Sequence, residues 1–145
     1  MSQSAELRSE IGPGARQVSA KLDSAFSAAL LGKRLAPLRD QGVLVVGSGN
    51  IVHNLRLMDR SLIGRGPEWA SQFDGTVQRH VRDGDDQALV EYERQPYGDL
   101  AVPTPDHYLP LLYAVGLRQN DDTCETIVDG LDIGCVSMTS IQFHN

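Results

Sequence analysis

No stretch of this 145-residue chain stays apolar for the roughly 20 residues that a helical membrane span requires. The N-terminus also lacks the basic segment and apolar core of a secretory signal, so no membrane partner is expected and the cytoplasm is the expected compartment. Cysteine is nearly absent. Cys124 and Cys135 are too few for a disulfide framework, and although a turn around Gly130 could bring them face to face, two reduced, half-buried thiols suit the sequence better. Basic residues are the minority: 13 Lys and Arg stand against 19 Asp and Glu, giving a net charge of −6. Nucleic-acid binding rests on cations that neutralise phosphates, so that class is set aside. The acidic residues are scattered and read as a solvated surface. Internal repeats and low-complexity tracts are missing too, which excludes solenoids and fibrous proteins.

What remains is an ordinary globular composition, 41% hydrophobic and 22% charged, in a chain long enough for one real core. Residues 1–14 show no sustained apolar period and are expected to be a flexible segment, with the folded portion running over 15–145. From Ser24 to Arg39, Phe26, Ala29, Leu30, Leu35 and Leu38 recur at helical spacing with cations at the end, predicting an amphipathic helix that exits through Asp40-Gln41-Gly42. Val43-Leu44-Val45-Val46 predicts a short central strand covered on both faces. Trp69, Phe73, Val77 and Val81 step by four along a second helix ending near Asp83-Gly84, and a further short helix follows over Asp85 to Arg94. Leu100-Ala101-Val102 reads as a strand stopped by Pro103 and Pro105, and Asp106 to Leu117 as a helix with Pro110 in its first turn. Two β-rich runs, Thr123 to Val128 and Gly134 to Phe143, surround Asp129-Gly130 as a hairpin. Helices alternating with strands predict an α/β fold, a mixed sheet flanked by helices.

Two segments carry chemistry. Gly47-Ser48-Gly49-Asn50-Ile51-Val52-His53-Asn54 follows the predicted strand, where glycines let the backbone approach a ligand closely and His53 stands where a site would form. It could equally be a tight turn with a surface histidine. A dinucleotide loop fits poorly, because Val52 occupies the third glycine's position, and no Walker lysine follows. The second segment, Val102-Pro103-Thr104-Pro105-Asp106-His107-Tyr108, again sets a histidine between a strand end and a helix start, with prolines to stiffen it. Asp106 reads as a helix N-cap more readily than as a ligand. Neutral imidazoles suit divalent iron and zinc, so two such histidines permit a metal site without proving one. His80 and His144 read as solvent-exposed.

These two histidine segments, together with the Leu31 to Arg39 helix, the Trp69 to Phe73 region and Ser137-Met138-Thr139-Ser140, resemble in the same order the class III (LigB-type) extradiol ring-cleavage dioxygenases of the DOPA 4,5-dioxygenase kind. The resemblance runs from about Gln17 onward and implies a partial LigB-like dioxygenase domain. It implies a non-haem Fe(II) centre, in some members isolated with Zn(II), that opens a catechol with O2. By that resemblance His53 matches the active-site histidine that serves as acid–base residue and metal ligand, and His107 matches a metal ligand. Asn54 and Tyr108, flanking them, are candidate substrate-binding residues. Members of the family are longer and carry further metal-ligand histidines in an N-terminal half that has no counterpart here. Three readings follow: a dioxygenase portion completed by an N-terminal half in trans, a non-catalytic remnant that self-associates as a homodimer, or a generic α/β small-molecule binding domain.

Overall fold

The computed structural model describes residues 24–145, together with two short antiparallel strands nearer the N-terminus, β1 (Leu7–Arg8) and β2 (Gln17–Val18). The flexible segment expected over residues 1–14 therefore lies, apart from Leu7–Arg8, outside the described residues. Helix α1 (Ala25–Leu35) starts where the Ser24 hydroxyl accepts the Ser27 N–H, which satisfies a free first-turn donor. A 3-10 turn over Ala36–Gln41 extends it, and Gly42 in the left-handed conformation ends it, as the exit-turn spacing predicts.

Helix α2 (Glu68–Asp83) buries the predicted stripe of Phe73, Val77 and Val81, and Gly84 caps its end. After the short α3 (Asp86–Val90) and α4 (Gly98–Ala101), helix α5 (Leu109–Gly116) begins with Pro110 in its first turn. Helices α1 and α5 pack closely, and Ala28, Phe73, Leu89, Tyr108 and Leu112 belong to one continuous core.

The C-terminal hairpin is nested. Strand β3 (Thr123–Val128) pairs antiparallel with β6 (Ser140–His144), and between them β4 (Leu131–Asp132) pairs with β5 (Val136–Ser137). Cys124 sits opposite Phe143 rather than Cys135, and both thiols are free. The class is α/β as expected, and its strands pair as two-stranded antiparallel units.

Two predicted strands are corrected. Val43–Val46 forms no strand: among the described residues, no main-chain hydrogen bond to another main-chain group involves Leu44 through Gly49. A strand exists only through a neighbour's ladder, and this run has none; Val45 is half-buried while Leu44 and Val46 are 85% and 77% exposed. Leu100–Val102 is instead the end of α4, because the Ala101 and Val102 N–H groups donate to Tyr97 and Gly98 carbonyls four residues back. Local bonding satisfies the backbone here, and Ala101 and Val102 reach the core from a helical turn.

Candidate metal and catalytic site

His53 and His107 come together. Their rings stack with centroids 3.6 Å apart and an interplanar angle of 22°. Neither sits at a strand end, contrary to expectation; loops pinned by main-chain bonds bring them into contact. The His53 N–H donates to the Ala101 carbonyl at 2.9 Å, and the Asn50 N–H donates to the His107 carbonyl at 2.7 Å. Each histidine segment thus holds the other's backbone. Gly49 is required for this approach, since a Cβ there would lie 2.2 Å from the His107 carbonyl oxygen.

A second brace comes from the C-terminal hairpin, which runs beside residues 50–54. Val136 forms an isolated antiparallel bridge with His53, the Ser137 N–H donates to Val52 at 2.9 Å, and the Asn54 N–H donates to Cys135 at 3.1 Å. The Asn50 side-chain amide donates to the Ser137 carbonyl at 2.7 Å. Sequence reading missed Asn50 and Ser137 as site-builders; the signal available was their presence inside two of the ordered segments that carry the family resemblance.

His53 is half-buried and His107 exposed. Burial, and then the charge of neighbouring His107, push the His53 imidazole below its ordinary value of 6.5, which favours the neutral ring. That is the form that accepts a proton or binds a divalent ion. The two flanking residues have other commitments. The Asn54 amide is buried and donates to the Leu100 carbonyl at 2.8 Å. Tyr108 is fully buried against Tyr92, and its hydroxyl donates to the Leu89 carbonyl at 3.1 Å.

The remaining candidates behave differently from expectation. His80 is largely enclosed, its side chain 15% exposed, because the chain turns back after α2 and sets Asp85 3.2 Å from Nδ1. His144 is half-buried and faces Glu125 across the hairpin. Asp106 caps nothing: it lies inside a 3-10 turn over Pro105–His107, whose N-cap is Thr104. Two imidazoles fit the nitrogen preference of Fe(II) or Zn(II), but among the described residues no group of three His, Cys, Asp or Glu side chains could hold an ion. A catalytic ion ordinarily takes three protein ligands, and the two histidines bring two nitrogen donors together here.

Residues 18–143 match the family described as the catalytic LigB subunit of aromatic ring-opening dioxygenase. The chain is 37% identical over 131 residues to the 4,5-DOPA dioxygenase extradiol of Escherichia coli (strain K12), covering 86% of this chain and 48% of that protein. It is 35% identical over 114 residues to the protein of the same name from Beta vulgaris, covering 78% and 42%. The crystal structure of an uncharacterized protein from Escherichia coli K12 aligns with a TM-score of 0.76 at 35% identity, over 82% of this chain and 50% of that one. The chain therefore spans about half the length of the relatives it matches.

Proposed function

This chain belongs to the LigB family of aromatic ring-opening dioxygenases, and from that premise we propose that it carries the His53–His107 part of an extradiol centre that opens a catechol with O2. The observation that supports this reading is the contact between the two imidazoles, brought together from separate segments. Fe(II), with Zn(II) as the ion retained in some preparations, would supply Lewis-acid activation of the catechol hydroxyls when bound. His53 would act as acid–base residue and ligand: held toward its neutral form, it accepts the proton of a catechol hydroxyl and returns it later. His107 would be a ligand on the open side. Asn54 and Tyr108 are assigned to support of the histidine backbones in place of direct substrate contact, because their polar atoms already bond main-chain carbonyls.

The remaining ligands are assigned to LigB-family sequence outside these 145 residues. The run Leu44 to Val46 supports this: it has no main-chain partner among the described residues and exposes Leu44 and Val46, so a strand docking there would bond its backbone and cover those side chains. The same run favours a second reading, in which the chain buries it against another copy as a non-catalytic homodimer. The cytoplasm remains the proposed compartment, and among the described residues no helix is long and apolar enough to cross a membrane.

The test measures metal content and catechol-dependent O2 uptake for the chain alone and after an N-terminal family segment is added. Little activity alone and a yellow semialdehyde product after addition are expected. Full activity from the chain alone would overturn the assignment of further ligands outside these residues, and a colourless full-length relative under the same conditions would overturn the reaction class.

A further inference from the structure

We propose that Asp74, remote in sequence from both histidines, is a positioning residue for His53 that acts through Ser137. The inference rests on the reading of the His53–His107 pair as the site, and deepens it. Asp74 lies on α2 and is 4% exposed, an expensive place for a carboxylate unless its oxygens are fully engaged. They are. Ser137 Oγ donates to Asp74, Thr139 Oγ1 lies 3.0 and 3.1 Å from its two oxygens, and Gln78 Nε2 donates at 2.7 Å.

The orientation of Gln78 is itself set from outside. Its Nε2 also donates to Asp129 at 2.9 Å, while its Oε1 accepts from Thr126 Oγ1 at 3.2 Å. A single arrangement of donors and acceptors therefore joins α2 to β3 and to the turn after β5. A fully satisfied buried network of this kind selects one packing out of several apolar alternatives.

What makes this more than a structural tie is the far side of Ser137. The residue whose hydroxyl Asp74 holds is the one whose backbone holds the His53 loop, through its N–H to Val52 and its carbonyl from Asn50. Its neighbour Val136 bridges His53 directly. Asp74 thus fixes Ser137 from one side, and Ser137 fixes residues 50–53 from the other. Shifting that turn would move the His53 ring relative to His107, which is anchored in addition by the Pro105–His107 turn and the start of α5.

The readout is the ring-current shift that stacked imidazoles impose on each other's carbon-bound protons, followed by NMR in this chain without metal or substrate. In Asp74→Asn and Ser137→Ala, amide dispersion should report a folded chain, while the His53 and His107 ring protons move toward the positions of unstacked imidazole. Asp122→Asn, which weakens an ion pair away from this network, serves as the control and should leave the ring shifts in place. Retained shifts in a folded Ser137→Ala or Asp74→Asn protein would overturn the proposal, leaving Asp74 as structural glue. Equal loss in the control would overturn it too, by removing the specificity. Should Asp74→Asn fail to fold, Ser137→Ala decides, because it removes one hydroxyl and no charge. Dioxygenase activity does not enter this measurement, so failure here and failure of the catalytic reading are separable.

Discussion

The imidazoles of His53 and His107 lie face to face, 3.6 Å between centroids, although the two residues come from different loops. Each loop is bonded to the other's histidine segment, so the stack is a product of backbone geometry as well as of ring attraction.

That relationship fixes how His53 should titrate. Burial is the larger cause of its lowered value and the neighbouring His107 the smaller. Replacing His107 with Ala should therefore raise the His53 value while leaving it below 6.5, as followed by NMR titration of the ring protons. A downward movement would contradict the like-charge account. Stability follows by linkage: because the folded His53 binds its proton less readily than the unfolded one, the fold loses stability as pH falls from 6.5 through the folded value. His107→Ala should make that loss shallower.

Arg39 and Asp122 form a two-pronged ion pair, with Nη2 to Oδ1 at 2.7 Å and Nη1 on the second oxygen. The Asp122 side chain is enclosed and Arg39 is half-buried, and the pair ties the end of the α1 region to the loop before β3. Asp122→Ala should cost roughly 1–3 kcal/mol in urea unfolding, since it removes a two-pronged, charge-assisted partner from a half-buried guanidinium. Bonding to Arg39 holds the Asp122 carboxyl below its ordinary 3.8, so the stability it contributes is present above that value and lost as pH falls through the folded one. The variant should show a weaker acid dependence over that window.

Gly32 and Gly116 let α1 and α5 touch backbone to backbone. A Cβ on Gly116 would sit 2.2 Å from the Ala29 carbonyl oxygen, and one on Gly32 would sit 2.3 Å from that of Tyr113. Helix propensity alone says that Gly→Ala stabilises a helix by up to about 1 kcal/mol. Here overpacking should reverse the sign and cost about 1–3 kcal/mol, visible as a lower Tm for Gly32→Ala or Gly116→Ala. A raised Tm would mean that the helices separate freely.

Leu44 and Val46 are exposed, on a run without main-chain partners among the described residues. Leu44→Lys with Val46→Lys should change the chain's own stability by no more than about 0.5 kcal/mol. The same pair should weaken self-association in sedimentation and reduce capture of an N-terminal family segment in trans. Unchanged association in both assays would remove this run as the docking surface.

Features that depend on local chemistry could be read directly. The apolar stripe of α2, the Gly42 and Gly84 exits and Pro110 in the first turn of α5 all follow from spacing within one or two turns. The two histidine segments were legible because each combines a histidine with prolines or glycines that restrict the backbone around it. Asp74 and Gln78 were harder to see: four residues apart on the buried side of α2, they look like surface polar residues until a partner is known.

The sequence by itself therefore determined helices α1, α2, α3 and α5, the family and the candidate pair of histidines, because periodicity, turn residues and ordered motifs are written within short stretches of chain. Only the tertiary structure decided that Leu44–Val46 has no main-chain partner among the described residues, that Ala101 reaches the core from a helical turn, and that Tyr108 faces the core. It alone decided that His53 stacks on His107 and that Asp74 reaches the His53 loop through Ser137. A β-run becomes a strand only when another segment offers its hydrogen-bonding edge, and a polar side chain finds its role only when distant residues present the matching donor. Those partners are set by how the whole chain packs.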